Sequence, residues 1–296
     1  MKKTILMFCL TVCIGSAVFS QAENRIDLSL YGSTRGELLA MFSPQWKFPF
    51  MQGENPLTSN NNITLKMNVC LSPISADIMG DAVFTVLPFI LFTVGGAVGS
   101  GWNYDLGNLP LIGLGLNNKM NNGDTRKNVS GNGLDGVVWN VHIGNTLQFD
   151  FAAIFPGDWN HVVVQVYNEI NYRAYTNAKA DEFWYYQMDE GMNQNAFRYK
   201  FEAVLGYAMP IFLDLVGVQF SGSLPFYNIK TGDNVRDVGF SLNTAFFANF
   251  SINKHFTIMA LSRFSNGFTD PITSDYDREW GFDRIQLIAT WHIKRW

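Results

Sequence analysis

Charged residues are scarce in this 296-residue chain. Asp, Glu, Lys and Arg make up 16% of it, against about 25% in an average soluble domain. So thin a charge implies that much of the surface faces something other than water. Positive charge is in deficit as well: 21 Lys and Arg stand against 25 Asp and Glu, which leaves no footprint for nucleic acid. Cysteine numbers three. Cys9 and Cys13 fall near the N-terminus, and Cys70 alone closes no intrachain disulfide. The four histidines are scattered and make no metal-ligand spacing, so neither a metal nor another cofactor is expected. Gly99-Ser100-Gly101-Trp102-Asn103 and Gly113-Leu114-Gly115 lack the lysine and the strand–glycine–helix setting of a phosphate loop, and read as tight turns. A transmembrane helix is missing too. The uncharged stretch 82–104 has the length, but Pro88, Gly95, Gly96, Gly99 and Gly101 lie in it among β-branched and aromatic residues. Those are strand and turn signals.

What is present begins at the N-terminus. Lys2 and Lys3 precede an apolar run over 5–18, followed by small residues suited to cleavage. This is the pattern of a secretory signal peptide over 1–22. Without Lys2 and Lys3 the remaining chain carries 19 basic residues against 25 acidic ones. Aromatic residues make up 15% of the sequence, and many alternate with polar ones. Phe197, Tyr199, Phe201, Ala203, Leu205 and Tyr207 share one face, and Arg198, Lys200 and Glu202 the other. Leu242, Phe246, Phe250 and Ile252 oppose Ser241, Asn243, Asn249 and Ser251. Ile285, Leu287, Ala289, Trp291 and Ile293 oppose Arg284, Gln286, Thr290, His292 and Lys294. Period two describes a sheet with one apolar and one wet face.

Connections in the second half run long and short by turns. Residues 177–195, 226–236 and 265–281 are long and polar; 156–159, Met209-Pro210 and Asn253-Lys254 are tight. Short turns at one end and long loops at the other mark outer-membrane barrels. In lipid only a closed barrel satisfies the backbone of such strands. The expected fold is therefore all-β: a closed antiparallel transmembrane β-barrel of about 12 strands, with ten to fourteen open, forming one domain over 23–296. Strands are expected near 26–40, 62–72, 81–95, 109–116, 135–144, 146–155, 160–176, 196–208, 211–224, 237–251, 255–264 and 282–295. Gly144-Asn145 is the expected turn between the fifth and sixth. Arg198, Lys200, Glu202, Asn243, Arg284 and Gln286 are expected to face the lumen, lining a pore or locking a plugged interior. Phe183-Trp184-Tyr185-Tyr186 reads as an outer aromatic girdle or as a binding patch on an outer loop. The terminal Trp296 resembles the last aromatic residue of bacterial outer-membrane barrels, which the assembly machinery reads, although it is out of phase with Trp291 and Ile293.

One loop carries a motif. Ser265-Asn266-Gly267, Asp270-Pro271 and Asp277 resemble the active-site run of the outer-membrane phospholipase A family, and a lipid A deacylase family has a similar element just before its final strand. The resemblance implies Ser265 as nucleophile, Asp277 as the residue orienting a histidine, and calcium held at the Phe268 carbonyl and the Thr273 hydroxyl. The histidine position is Arg263, which stays protonated and cannot act as a general base. The expected function is thus a non-catalytic outer-membrane barrel, a small channel or a surface-exposed structural or binding protein. A lipid hydrolase or its inactive relative, and a soluble secreted β-domain, stand as alternatives. The expected partners are outer-membrane lipids, the barrel-assembly machinery, and small solutes or an external ligand.

Overall fold

The structure is a computed structural model. It describes residues 24–105, 110–122, 129–130, 133–187, 189, 191–231, 234–237, 239–268 and 278–295. The expected signal segment, Trp296, Asp277 and Thr273 lie outside the described residues.

Twelve strands form the wall: β1 (Arg25–Ser33), β2 (Leu38–Pro49), β3 (Asn62–Leu71), β4 (Ser75–Leu87), β5 (Ile90–Gly101), β6 (Val138–Asp150), β7 (His161–Tyr175), β8 (Ala196–Ala208), β9 (Leu213–Pro225), β10 (Ser241–Asn253), β11 (Phe256–Phe268) and β12 (Arg278–Arg295). Each pairs antiparallel with the next, and β1 pairs with β12 to close the barrel. Closure leaves no unpaired edge.

Alternation decides which face looks outward. On β6, Trp139, Val141, Ile143, Leu147 and Phe149 are exposed. The same holds for Leu28 and Leu30 on β1, for Val94 and Val98 on β5, and for Leu287 and Trp291 on β12. Trp139 and Phe149 bracket this apolar band on β6. Ten residues at about 3.4 Å each, tilted by about 40°, give a height of about 26 Å, the size of a barrel's lipid-facing belt.

The count of twelve agrees with the sequence, but its members in the first half do not. The segment 26–40 is a hairpin: Ser33 N–H bonds the Glu37 carbonyl, and Gly36 takes a φ of 79° that glycine adopts freely. The segment 81–95 is likewise two strands, turning at Pro88-Phe89 with Leu87 paired to Ile90. Conversely, 135–144 and 146–155 belong to the single strand β6, followed by a short 3₁₀ turn at Phe151–Ala153. Gly144-Asn145 is no turn; it pairs in mid-strand with Glu169 and Asn168. A Cβ on Gly144 would strike the Tyr167 ring and the Asn168 carbonyl, so the glycine permits close packing. The expected strand 109–116, described from 110 on, is not part of the wall: Leu114–Asn117 pairs with Trp184–Tyr186 inside it.

The inner face is not uniformly wet. Tyr31, Leu39, Met41, Cys70, Val204, Leu215, Ala245, Phe247, Met259, Leu261 and Ile288 form one buried apolar cluster, drawn from β8 through β12 and on through β1 to β3. These inward side chains pack against one another along that part of the wall. Buried polar residues lie on β4 to β8, among them Asp77, Glu169 and Arg198, and also on β11, β12 and β1, among them Arg263, Arg284 and Asp27.

Candidate functional site: a sheet seated inside the barrel

The described ends of the chain, Asn24 and Arg295, and the turns 88–89, 209–212 and 254–255 lie at one end of the barrel; the described parts of the connections from β5 to β6, β7 to β8 and β9 to β10 lie at the other. Two of these long loops fold together. Trp184–Tyr186 pairs with Leu114–Asn117, which pairs with Val129–Ser130, to make a three-stranded sheet. Phe183, Trp184 and Tyr186 are 3%, 0% and 4% exposed. The aromatic run is therefore neither a girdle nor a patch on the cell exterior. It is covered because the loop turns inward, and a sequence gives no sign of which way a loop turns.

The sheet is held from two sides. On β4, Asp77 accepts from the Tyr186 hydroxyl and, at 2.6 Å, from Gln187 Nε2; Gln187 also reaches Ser75 Oγ at 3.0 Å. Gly99 on β5 makes the room, since a Cβ there would meet both Asp77 and the Tyr186 hydroxyl. The inward positions Thr93, Gly95, Ala97, Gly99 and Gly101 of β5 are all small. On the far side, the Arg173 guanidinium of β7 lies 5.1 Å from the Trp184 ring centre and 5.0 Å from that of Tyr186. A desolvated cation over aromatic faces contributes about 2 kcal/mol. Arg198 on β8 donates to Asn193 Oδ1 at 2.8 Å, and Arg173 to the same atom at 3.4 Å. Asn193 in turn donates to Asp189 and to the Trp184 carbonyl. Asp189 accepts from the backbone N–H groups of Tyr186 and Gly191. Its burial raises the carboxyl above the usual aspartate range, a shift that Arg173 and these hydrogen bonds partly offset.

The residues singled out in the sequence fall around this sheet. Arg198 is one of its anchors. Lys200 pairs with Glu169 at 3.2 Å, and Glu169 also accepts from Tyr167 and Asn171. Glu202 hydrogen-bonds with Gln219. Asn243 sits in register with Ser221 and Ser265. Arg284 and Gln286 are both 0% exposed. Arg284 pairs with Glu37 and, at 2.7 Å, with Asp283. Asp283 also holds Arg35 at 2.5 Å and Arg263 at 3.7 Å. Among the described residues Arg263 pairs with Asp283, a bulge residue outside the loop motif.

Ser265 lies in β11 opposite Asn243 and Gly281. Each histidine is engaged elsewhere: His142 with Asp81, His161 with Asp150, His292 with Asp27, and His255 with the His292 carbonyl. Phe268 ends β11. Among the described residues no three His, Cys, Asp or Glu side chains gather as a metal site. Asp77, Arg173, Asp189 and Asn193 were not visible in the sequence as a site. The glycine-rich inner face of β5 was the one local signal for a close approach there.

No protein-family model matches the sequence, and no curated protein is similar to it. Among solved structures, the NanC porin aligns over 91% of this chain and 99% of its own, with a TM-score of 0.42 and 7% identity. The KdgM porin covers the same shares, at 0.37 and 7%. OmpT, an outer membrane protein of Vibrio cholerae, aligns over 94% of this chain and 100% of its own, at 0.38 and 6%. These likenesses concern the fold alone. The site is read from this chain's own residues.

Proposed function

We propose that this chain is an outer-membrane barrel, exported by its first 22 residues, that passes small polar solutes through a lumen closed by the inward-folded sheet. The observation that carries this reading is the sheet's seat. It bridges β4 on one wall and β7 and β8 on another through hydrogen bonds and a stacked cation, and its Leu114, Trp184 and Tyr186 pack with Val138 and Tyr175 in a small buried cluster. Water can replace the polar ties when the sheet withdraws, and the apolar cluster it leaves has five buried residues, against eleven in the cluster on the wall strands. The apolar cluster on the other strands is the fixed part of the interior, and the sheet is the movable part. The apolar band and the aromatic residues at its ends fit a surface solvated by outer-membrane lipids, placed there by the barrel-assembly machinery. In this orientation the long loops face outward and the termini face the periplasm. Ser265 has no catalytic part in this reading, because its inner-face neighbour Arg263 cannot accept a proton.

A swelling assay tests it. Liposomes carrying the protein should admit small polar solutes slowly, and a variant with Trp184–Tyr186 replaced by Gly-Ser-Gly should admit them faster and admit larger ones. Impermeable liposomes with both proteins, each shown to be inserted, would refute a channel.

A further inference from the structure

Within the apolar band one group of polar side chains faces outward. Asn145 stands on β6 between Ile143 and Leu147, which are 59% and 49% exposed on the same face. Asn168 stands opposite it on β7, and Tyr199 follows on β8. Asn168 Nδ2 donates to Asn145 Oδ1 at 3.3 Å, and the Tyr199 hydroxyl donates to Asn168 Oδ1 at 2.6 Å. The three make one hydrogen-bonded row across three strands.

The row is unfinished. A carboxamide carries two N–H donors and an oxygen that accepts twice. Among the described residues the Asn145 NH₂ donates to nothing, and Asn168 keeps one N–H in hand. Asn145 is six residues from Trp139 and four from Phe149, the aromatic ends of the band. By strand rise and tilt it lies about 10 Å inside the nearer edge. Neither water nor headgroups reach that depth, and acyl chains offer no acceptor.

We infer that this row is a contact site for a second copy of the chain, joined by the two Asn145 amides across a twofold axis. The carboxamide is self-complementary. The N–H of each meets the oxygen of the other, so one patch serves both partners, as a twofold interface requires. The row carries no charge that a partner would have to neutralise. Phe92, Val94, Ile143, Leu147 and Ile170 surround it with exposed apolar side chains that would be covered in the same contact. The inference rests on the barrel spanning a bilayer.

The full chain in detergent and in vesicles is compared with Asn145→Leu/Asn168→Leu by sedimentation, with heat-modifiable gel migration as the separate check on insertion. A photoreactive phenylalanine analogue replaces Ile143 beside the row, or Leu287 on β12 across the barrel. The wild type should be dimeric and should cross-link to a second copy from position 143 and not from 287. The double variant should stay inserted and dissociate about tenfold more readily, the effect of two amide hydrogen bonds of the size measured in membranes. An inserted wild type that stays monomeric, a dimer unchanged by the double variant, or cross-links from 143 to a different protein would overturn the pairing alone. A wild type that fails to insert would overturn the membrane reading and this inference together.

Discussion

Replacing Asp77 by alanine should unseat the inner sheet. Asp77 accepts from the Tyr186 hydroxyl and from Gln187 Nε2, and both donors belong to the loop that must move. A hydrogen bond to a charged acceptor contributes about 1.5–3 kcal/mol net. The seated state therefore loses at least about 3 kcal/mol, while the withdrawn state, with its donors in water, loses nothing. That moves the ratio of open to closed channels by about 100-fold. Asp77→Asn keeps an accepting oxygen and should shift it by about tenfold or less. Tyr186→Phe removes one bond of the two and should fall between. Single-channel recording in planar bilayers reads the open fraction directly, and gel migration before and after heating confirms that each variant is folded. An Asp77→Ala channel whose open fraction matches wild type within twofold would refute the assignment of Asp77 as the seat.

Lowering the pH should favour closure. The Asp189 carboxyl is raised above the usual aspartate range, so the seated sheet binds its proton more tightly than the withdrawn one. Its stabilisation is present at low pH and is lost as pH rises through that raised value. Open fraction should therefore increase from acid toward neutral pH, and Asp189→Asn should flatten the Asp189 part of that curve; an unchanged curve would remove Asp189 as its source. Arg284→Ala should destabilise the barrel by about 3–5 kcal/mol, because Glu37 loses its buried cation and Asp283 loses one of three; a lower conversion temperature on the gel is the readout, and an unchanged one would contradict the ion-pair network. The purified protein should release no fatty acid from phospholipid micelles, with or without calcium. Calcium-dependent release that Ser265→Ala abolishes would restore the hydrolase reading.

The second half of the wall was legible because adjacent residues there differ sharply. Arg198, Lys200 and Glu202 alternate with Phe197, Tyr199 and Phe201, so one reading frame survives. β5 offers no such contrast. Its inward residues are Thr93, Gly95, Ala97, Gly99 and Gly101, small because a tyrosine and a carboxylate come to rest on them, and so the strand has no polar phase to read. The turns at 34–37 and 88–89 lack the Asn-Gly or Asp-Gly signal of a two-residue hairpin and were absorbed into longer strands. Gly144-Asn145 imitates that signal in mid-strand. These opposing errors left the total at twelve. Inside, Ala245 and Phe247 break the expected wet face because they pack in the buried apolar cluster that inward residues of several wall strands share. The inner sheet was hidden for a different reason. Its two main strands lie in separate loops, and pairing between Leu114–Asn117 and Trp184–Tyr186 depends on both loops turning into the barrel, which local periodicity does not encode.

The most direct measurement fixes the sheet in its seat and records current. Cysteines replace Asp77 and Tyr186, with Cys70 changed to serine, and a short bismaleimide bridges the two positions, whose side chains meet in the closed form. Before bridging, the channel should open more often than wild type, since both latch partners are gone. After bridging, its openings should disappear, while the chain stays inserted and heat-modifiable. Current that persists at the same amplitude through a fully bridged channel would contradict the claim that this sheet closes the lumen.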